Sequence, residues 1–227
     1  MSTVAIIQAR IGASRLPNKM LLHLHGYPIC EWVFRRVQQA KNIHQVIFAL
    51  PDTKNDDVLA FYLQSIGANV YRGSETDLVE RYYLAAKQTG ADKMVRICAD
   101  NPLICAEEID RLVDFFEDEA CDYAYNHIPR ENRYPDGLGA EMCSMQLLEV
   151  IQQKATSSEH REHLFNFIWD NRTDYTIKTF DPPDAIAYPD LKFDLDNLVD
   201  YQRLLEKPYR INMSANEVIQ TALQHKA

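Results

Sequence analysis

Glycine is scarce in this 227-residue chain, with seven in all. None sits in Gly-x-x-x-x-Gly-Lys-Ser/Thr or in Gly-x-Gly-x-x-Gly, so the P-loop and the dinucleotide-binding turn are both absent. The five cysteines (Cys30, Cys98, Cys105, Cys121, Cys143) are odd in number, widely spaced and without a Cys-x-x-Cys pair. That usage argues against a disulfide frame or a zinc site and for a reduced, cytoplasmic interior. No apolar run approaches membrane-spanning length, and the N-terminus passes straight into a strand-like segment instead of a signal peptide, so no membrane partner is expected. Positive charge is short as well. Lys+Arg 24 against Asp+Glu 33 gives a net charge of -9, which leaves no basic face to track a nucleic-acid backbone.

What remains has the composition of a globular protein, 46% hydrophobic and 25% charged, and the length prior is one domain. Short apolar runs rich in β-branched residues at 4–9 (VAIIQA), 45–50 (QVIFAL) and 93–98 (KMVRIC) read as strands covered on both faces. Helical stripes lie between them: Ile29, Trp32, Val33 and Val37 after a Gly-Tyr-Pro turn, then Val58, Leu59, Tyr62, Leu63 and Ile66, then Leu78, Val79, Tyr82, Tyr83 and Ala86. This alternation predicts βαβ units, hence an α/β fold with a mostly parallel sheet and helices on both faces. Beyond about residue 123 the pattern loosens. Residues 126–139 are turn-rich, 159–170 read as helix, 176–180 as strand, and 197–205 as a last amphipathic helix.

Ligands of such sheets sit outside the carboxyl ends of the strands. The first strand delivers "IIQARIGASRLPNK" to that edge, a stretch with three cations and no carboxylate in an acidic chain. Gly12 allows close backbone approach there, and Arg10, Arg15 and Lys19 can converge on phosphate oxygens, with Ser14 and free N–H groups as further donors. A solvated basic loop is the alternative. Asp100 follows the strand KMVRIC directly, and Asp194 and Asp196 form an Asp-x-Asp pair in "KFDLDN". Hard oxygen ligands from two segments suit Mg²⁺ on a nucleotide's phosphates, whereas a helix N-cap is the structural explanation for any one of them.

Six ordered segments, "IIQARIGASRLPNKML", "YRGSETDLVERYYLAA", "RICADNPLI", "YPDGLGAE", "REH" and "FDLDNLVDYQRL", resemble the signatures of the spore-coat-polysaccharide-type cytidylyltransferases, relatives of the CMP-sialic acid and CMP-Kdo synthetases. The resemblance implies a nucleotide-diphospho-sugar transferase fold, Rossmann-like and of GT-A type, as a single domain over 1–227. Residues 1–125 would then bind nucleotide, and 126–227 would face the sugar and complete the metal site. It implies attack by the hydroxyl of an acidic, nonulosonic-type sugar on the α-phosphorus of CTP, giving a CMP-sugar and pyrophosphate for surface polysaccharide.

By the same resemblance Ala9, Arg10, Gly12, Ser14, Arg15 and Lys19 match the triphosphate loop, Asp100 and Asp196 match Mg²⁺ ligands, and Asp194 completes the Asp-x-Asp form. Tyr134, Asp136, Gly137, Glu141, Arg161, Glu162 and His163 match segments facing the acceptor. Arg15 and Lys19 with Mg²⁺ would supply most of the catalysis. His163, a metal-bound hydroxide or a substrate carboxylate would serve as base. Homodimerisation is expected too. A non-catalytic nucleotide-sugar-binding relative, or an enzyme using another nucleoside triphosphate, are the alternatives.

The chain departs from the pattern at Gly139, where family members usually carry Asp, and at "DNLVD", which lacks a Thr-Pro. Asp52, after the second strand, stands where it can meet ribose or base, though turn formation explains it equally. His160 and His163, three apart, fit a charged helix face better than a metal site. Cys98 and Cys105 fit buried small residues better than nucleophiles.

Overall fold

The computed structural model describes residues 2–224, so the ends of the expected domain, residue 1 and residues 225–227, lie outside the described residues. In chain order the strands are β1 (Thr3–Gln8), a small hairpin of β2 (His23–Leu24) and β3 (Tyr27–Pro28), β4 (Gln45–Pro51), β5 (Asn69–Gly73), β6 (Lys93–Cys98), β7 (Tyr123–Tyr125), β8 (Glu141–Ser144) and β9 (Ile177–Thr179). The helices are α1 (Ile29–Val37), α2 (Asp57–Ser65), α3 (Leu78–Lys87), α4 (Ala106–Asp118), α5 (Met145–Lys154), α6 (Ser158–Glu162), α7 (Asn166–Asp170), α8 (Leu198–Leu205) and α9 (Ala215–Leu223).

Among these residues one seven-stranded sheet forms in the order β5-β4-β1-β6-β8-β7-β9. β5, β4, β1 and β6 pair in parallel, β8 runs antiparallel to both β6 and β7, and β9 pairs in parallel with β7. The sheet is therefore parallel apart from one reversed strand.

β1 explains its own central place. Ala5 and Ile7 enter one core with Trp32 and Val33 of α1, Leu112 of α4 and Ile219 of α9, while Val4 and Ile6 enter a second with Val79 and Tyr82 of α3 and Leu148 of α5. Successive side chains of a strand alternate faces, so a continuous apolar run needs helices on both sides. Tyr82 is wholly buried and belongs to this core.

Two expectations change in the second half. The helix expected over 159–170 is broken into α6 and α7, because Leu164 and Phe165 turn inward and are almost fully buried between them. The helix over 197–205 is present, but it is not the last. Ser214 and Glu217 form a capping box that starts α9, which buries Val218 and Ile219.

Candidate nucleotide site

Beyond β1 the chain runs through an open loop to a short 3₁₀ turn, Lys19–Leu21, and two contacts fix its start. The Ala99 N–H donates to the Gln8 carbonyl at 3.1 Å, and the Ile11 N–H donates to Oδ1 of buried Asp56 at 2.8 Å. Asp56 is itself held by the Thr53 hydroxyl at 2.7 Å. The loop is thereby tied to the two strands flanking β1 at their carboxyl ends. Gly12 has no positive φ, and a Cβ there would meet nothing within 4 Å, so nothing among the described residues demands glycine at this place.

Lys19 closes the loop against the far segments. Its Nζ donates to Asp100 Oδ2 and to the Leu195 carbonyl, both at 2.8 Å, and stands 3.8 Å from Asp196 Oδ1. Arg15 reaches the same Asp196 oxygen at 2.9 Å. The Leu195 N–H donates to the Asp100 carbonyl at 2.8 Å, which locks the Asp-x-Asp segment to the end of β6. Ala9, Arg10, Ser14, Arg15, Lys19, Asp100 and Asp196 together line a cleft of about 210 Å³.

Helix capping accounts for none of the three acids. Asn197 caps α8 in a capping box with Asp200, and Cys105 stands at the N-cap of α4. Asp194 pairs with Lys192 at 3.0 Å through one oxygen, while its other oxygen is buried without a partner, and burial raises its pKa. Asp136 is pushed up to about 6 by burial first and then by Asp194. Among the described residues no three His, Cys, Asp or Glu side chains gather closely enough to hold a metal unaided. Asp100 and Asp196 with the orphaned Asp194 oxygen do suit a hard cation that brings phosphate and water ligands of its own.

The remaining expected residues separate. Glu162 and His163 line an adjoining cleft of about 330 Å³ with Gln8 and Arg10, the two residues it shares with the first. Arg81 and Arg96 also line it, and each has a buried Nε without a partner. Neither arginine is among the residues expected at the site. Their signal was a cation inside an apolar strand, KMVRIC, and another beside the α3 stripe.

Glu141 lies behind this cleft. Burial opposes its charge, but Arg96, His127 and a hydrogen bond from Tyr123 hold its pKa below the usual carboxylate value. Arg161 clamps Asp77 at the start of α3 and donates to the Gln152 carbonyl at 3.0 Å. Tyr134 is buried, donating to Glu108 at 2.7 Å. Gly137, at φ +91, lies so close to the 193–194 backbone that a Cβ would come within 3.1 Å of the Asp194 nitrogen. These four hold surrounding structure in place. Asp52 stands outside both clefts, with an exposed carboxylate 3.4 Å from Arg72.

The departures acquire physical reasons. A Cβ on Gly139 would lie 2.2 Å from Oδ1 and 2.3 Å from the carbonyl of buried Asn126, so this packing admits no side chain. His160 pairs with Asp170 at 2.8 Å, apart from His163. Burial pushes the Cys98 thiol up to about 12 and the Cys105 thiol up to about 11, far from nucleophile range.

Comparison with known proteins finds relatives that match over nearly the whole chain. An uncharacterized protein of Methanocaldococcus jannaschii is 32% identical, over 91% of this chain and 83% of that one. The spore coat polysaccharide biosynthesis protein SpsF of Bacillus subtilis is 26% identical over 94% and 91%. Among solved structures, a cytidylyltransferase from Leptospira borgpetersenii superposes with a TM-score of 0.88 at 25% identity, over 100% of this chain and 99% of that one. A CMP:2-keto-3-deoxy-manno-octonic acid synthetase complexed with CTP shares the fold, with a TM-score of 0.68 at 19% identity over 91% and 98%. The sequence model of the cytidylyltransferases matches residues 4–206, and the chain belongs to that family.

Proposed function

We propose that this protein transfers CMP from CTP to a hydroxyl of an acidic sugar, with release of pyrophosphate. The observation that carries the reading is the meeting of Lys19 and Arg15 with Asp100 and Asp196 at one sheet edge. Such an arrangement can bind phosphate oxygens with its cations while its carboxylates face a metal. The names of SpsF and of the CMP-octonic acid synthetase support an acidic sugar and a place in surface polysaccharide synthesis.

The acceptor oxygen forms a bond to the α-phosphorus as the bond from that phosphorus to the bridging oxygen breaks, and the electron pair leaves with pyrophosphate. Arg15 and Lys19 stabilise charge that grows on the leaving group, and the loop amides and Ser14 orient the triphosphate. Asp100 and Asp196 would hold Mg²⁺, which would neutralise phosphate charge. Arg10, Arg81 and Arg96 offer the adjoining cleft donors for the rest of the substrates. The hydroxyl proton passes to His163, which lines the adjoining cleft, or to the acceptor's own carboxylate. A homodimer in the cytoplasm completes the proposal, in keeping with five free cysteines among the described residues and no helix there long and apolar enough to cross a membrane.

The test is pyrophosphate release with CTP, UTP, GTP and ATP against a panel of nonulosonic acids, with and without Mg²⁺. Release that requires CTP, Mg²⁺ and an acidic sugar is the expected result. Binding of CTP with no release for any acceptor would instead favour a non-catalytic relative, and release with another nucleotide would move the base specificity.

A further inference from the structure

A third cleft, of about 630 Å³, lies between the β2–β3 hairpin, α1 and residues 209–212. Small-molecule sites fall in the range of about 300–1,000 Å³. Tyr27 gives it an exposed aromatic wall, the nearly buried Trp32 and Tyr209 close its floor, His25 adds an imidazole, and its cations are Arg35 and Arg210. Among the described residues no carboxylate lines it, although the chain carries a net charge of -9.

The walls are built. His25 and Gly26 both have positive φ, as the two-residue type I′ hairpin turn requires, and this fixes Tyr27 at the mouth. Arg35 lies over the Tyr27 ring at 4.8 Å from its centroid and is bonded to Glu31 at 2.6 Å, so its charge is partly met from behind. Trp32 is buried at the floor, edge-on to His25. Arg210 differs from Arg35. Its carboxylate contact is the exposed Glu217 at 4.0 Å, which leaves its guanidinium donors available.

We propose that this cleft is a second ligand site, separate from the nucleotide site, which takes a small anion bearing a planar ring. The ring would lie against the aromatic walls and the carboxylate or phosphate would meet Arg210. Aromatic faces recognise rings, and a guanidinium recognises planar or tetrahedral oxyanions through paired N–H donors. The site is also joined to the catalytic edge. The Tyr201 hydroxyl on α8 donates to the His23 carbonyl of the hairpin at 2.6 Å, and α8 starts two residues after Asp196.

The experiment is a fluorescence titration with 1-naphthyl phosphate and with neutral 1-naphthol, on the wild type, Arg210→Gln and Lys19→Ala. Saturable binding of the phosphate is expected, weaker by about tenfold in Arg210→Gln, the size of one lost charge-assisted contact. Binding to Lys19→Ala should match the wild type, and the naphthol should bind more weakly than the phosphate. Loss in Lys19→Ala with no change in Arg210→Gln would put the probe in the nucleotide cleft and overturn the proposal. Equal affinity for the neutral ring would remove the anion from it, and absence of saturable binding up to millimolar probe would remove the site. Arg210→Gln is expected to keep the wild-type unfolding temperature, since that side chain is largely exposed.

Discussion

Nζ of Lys19 lies 2.8 Å from Oδ2 of Asp100, joining residues 81 positions apart across the mouth of the first cleft. An ammonium held this way is a fixed point charge with little freedom to pair elsewhere. Lys19→Ala should raise the KM for CTP by about tenfold or more while leaving the circular dichroism spectrum unchanged. Lys19→Arg should not restore it, because a planar fork cannot take the place of a compact ammonium between two carboxylates. Steady-state pyrophosphate release decides this, and wild-type kinetics in the alanine variant would exclude Lys19 from the site.

Asp100→Asn and Asp196→Asn should each lower magnesium-dependent turnover by about a hundredfold or more and move the magnesium titration midpoint upward. A variant that keeps the wild-type midpoint would place the metal on other oxygens.

Gly139→Ala should destabilise the protein by roughly 2–4 kcal/mol, since overpacking a filled interior forces the backbone to move. Removing the neighbouring side chain with Asn126→Gly should not rescue it, because the Asn126 carbonyl oxygen would still stand 2.3 Å from the new methyl. Urea denaturation measures both, and full rescue in the double variant would show that the side chain alone excludes Asp from this position.

The raised pKa of Asp136 has a pH signature. The folded form holds its proton up to about pH 6, whereas an unfolded carboxyl releases it near 4. Between those values the folded state binds more protons, so the contribution of this residue to stability falls as pH rises, on the order of 1–2 kcal/mol in all. Asp136→Asn should flatten that slope in metal-free protein. Magnesium should also reduce it in the wild type if a cation binds beside Asp194. Melting temperatures from pH 4 to 7 test both statements.

Arg96 and Glu141 face each other across β6 and β8 as a buried ion pair. Arg96→Met leaves the buried Glu141 carboxylate with Tyr123 and His127 but without its guanidinium partner, and should cost about 3–5 kcal/mol. The double variant Arg96→Met, Glu141→Leu should recover much of that in denaturant midpoint while losing activity. If the double variant were no more stable than the single one, the pair would not be what the single change breaks.

The sheet, its parallel half and the basic loop were legible because β1, β4 and β6 are apolar runs of strand length, and because Arg10, Arg15 and Lys19 stand in one turn after a strand. The partnership of Lys19 with Asp100 and Asp196 was legible only as an expectation, since it depends on the Leu195 to Asp100 backbone bond between distant segments. What stayed hidden is what packing decides. Arg96 sits among apolar neighbours in its strand and Arg81 beside the α3 stripe, and the fold turns both toward a cleft. Glu141, Arg161, Tyr134 and Gly137 read as acceptor contacts, yet each has a partner 18 or more positions away in another element or loop: Tyr123, Asp77, Glu108 and the 193–194 backbone. The interruption at Leu164 and Phe165 has no proline or glycine to announce it; it falls where these two side chains are buried.

The reversed direction of β8 has a geometric outcome. A strand running against its neighbours presents its first residue where they present their last, so Glu141, the first residue of β8, stands beside Arg96 toward the ligand edge. Anchoring a guanidinium from within a strand pair makes that part of the cleft wall as stiff as the sheet itself, while Arg15, on its open loop, keeps the freedom to follow whatever binds.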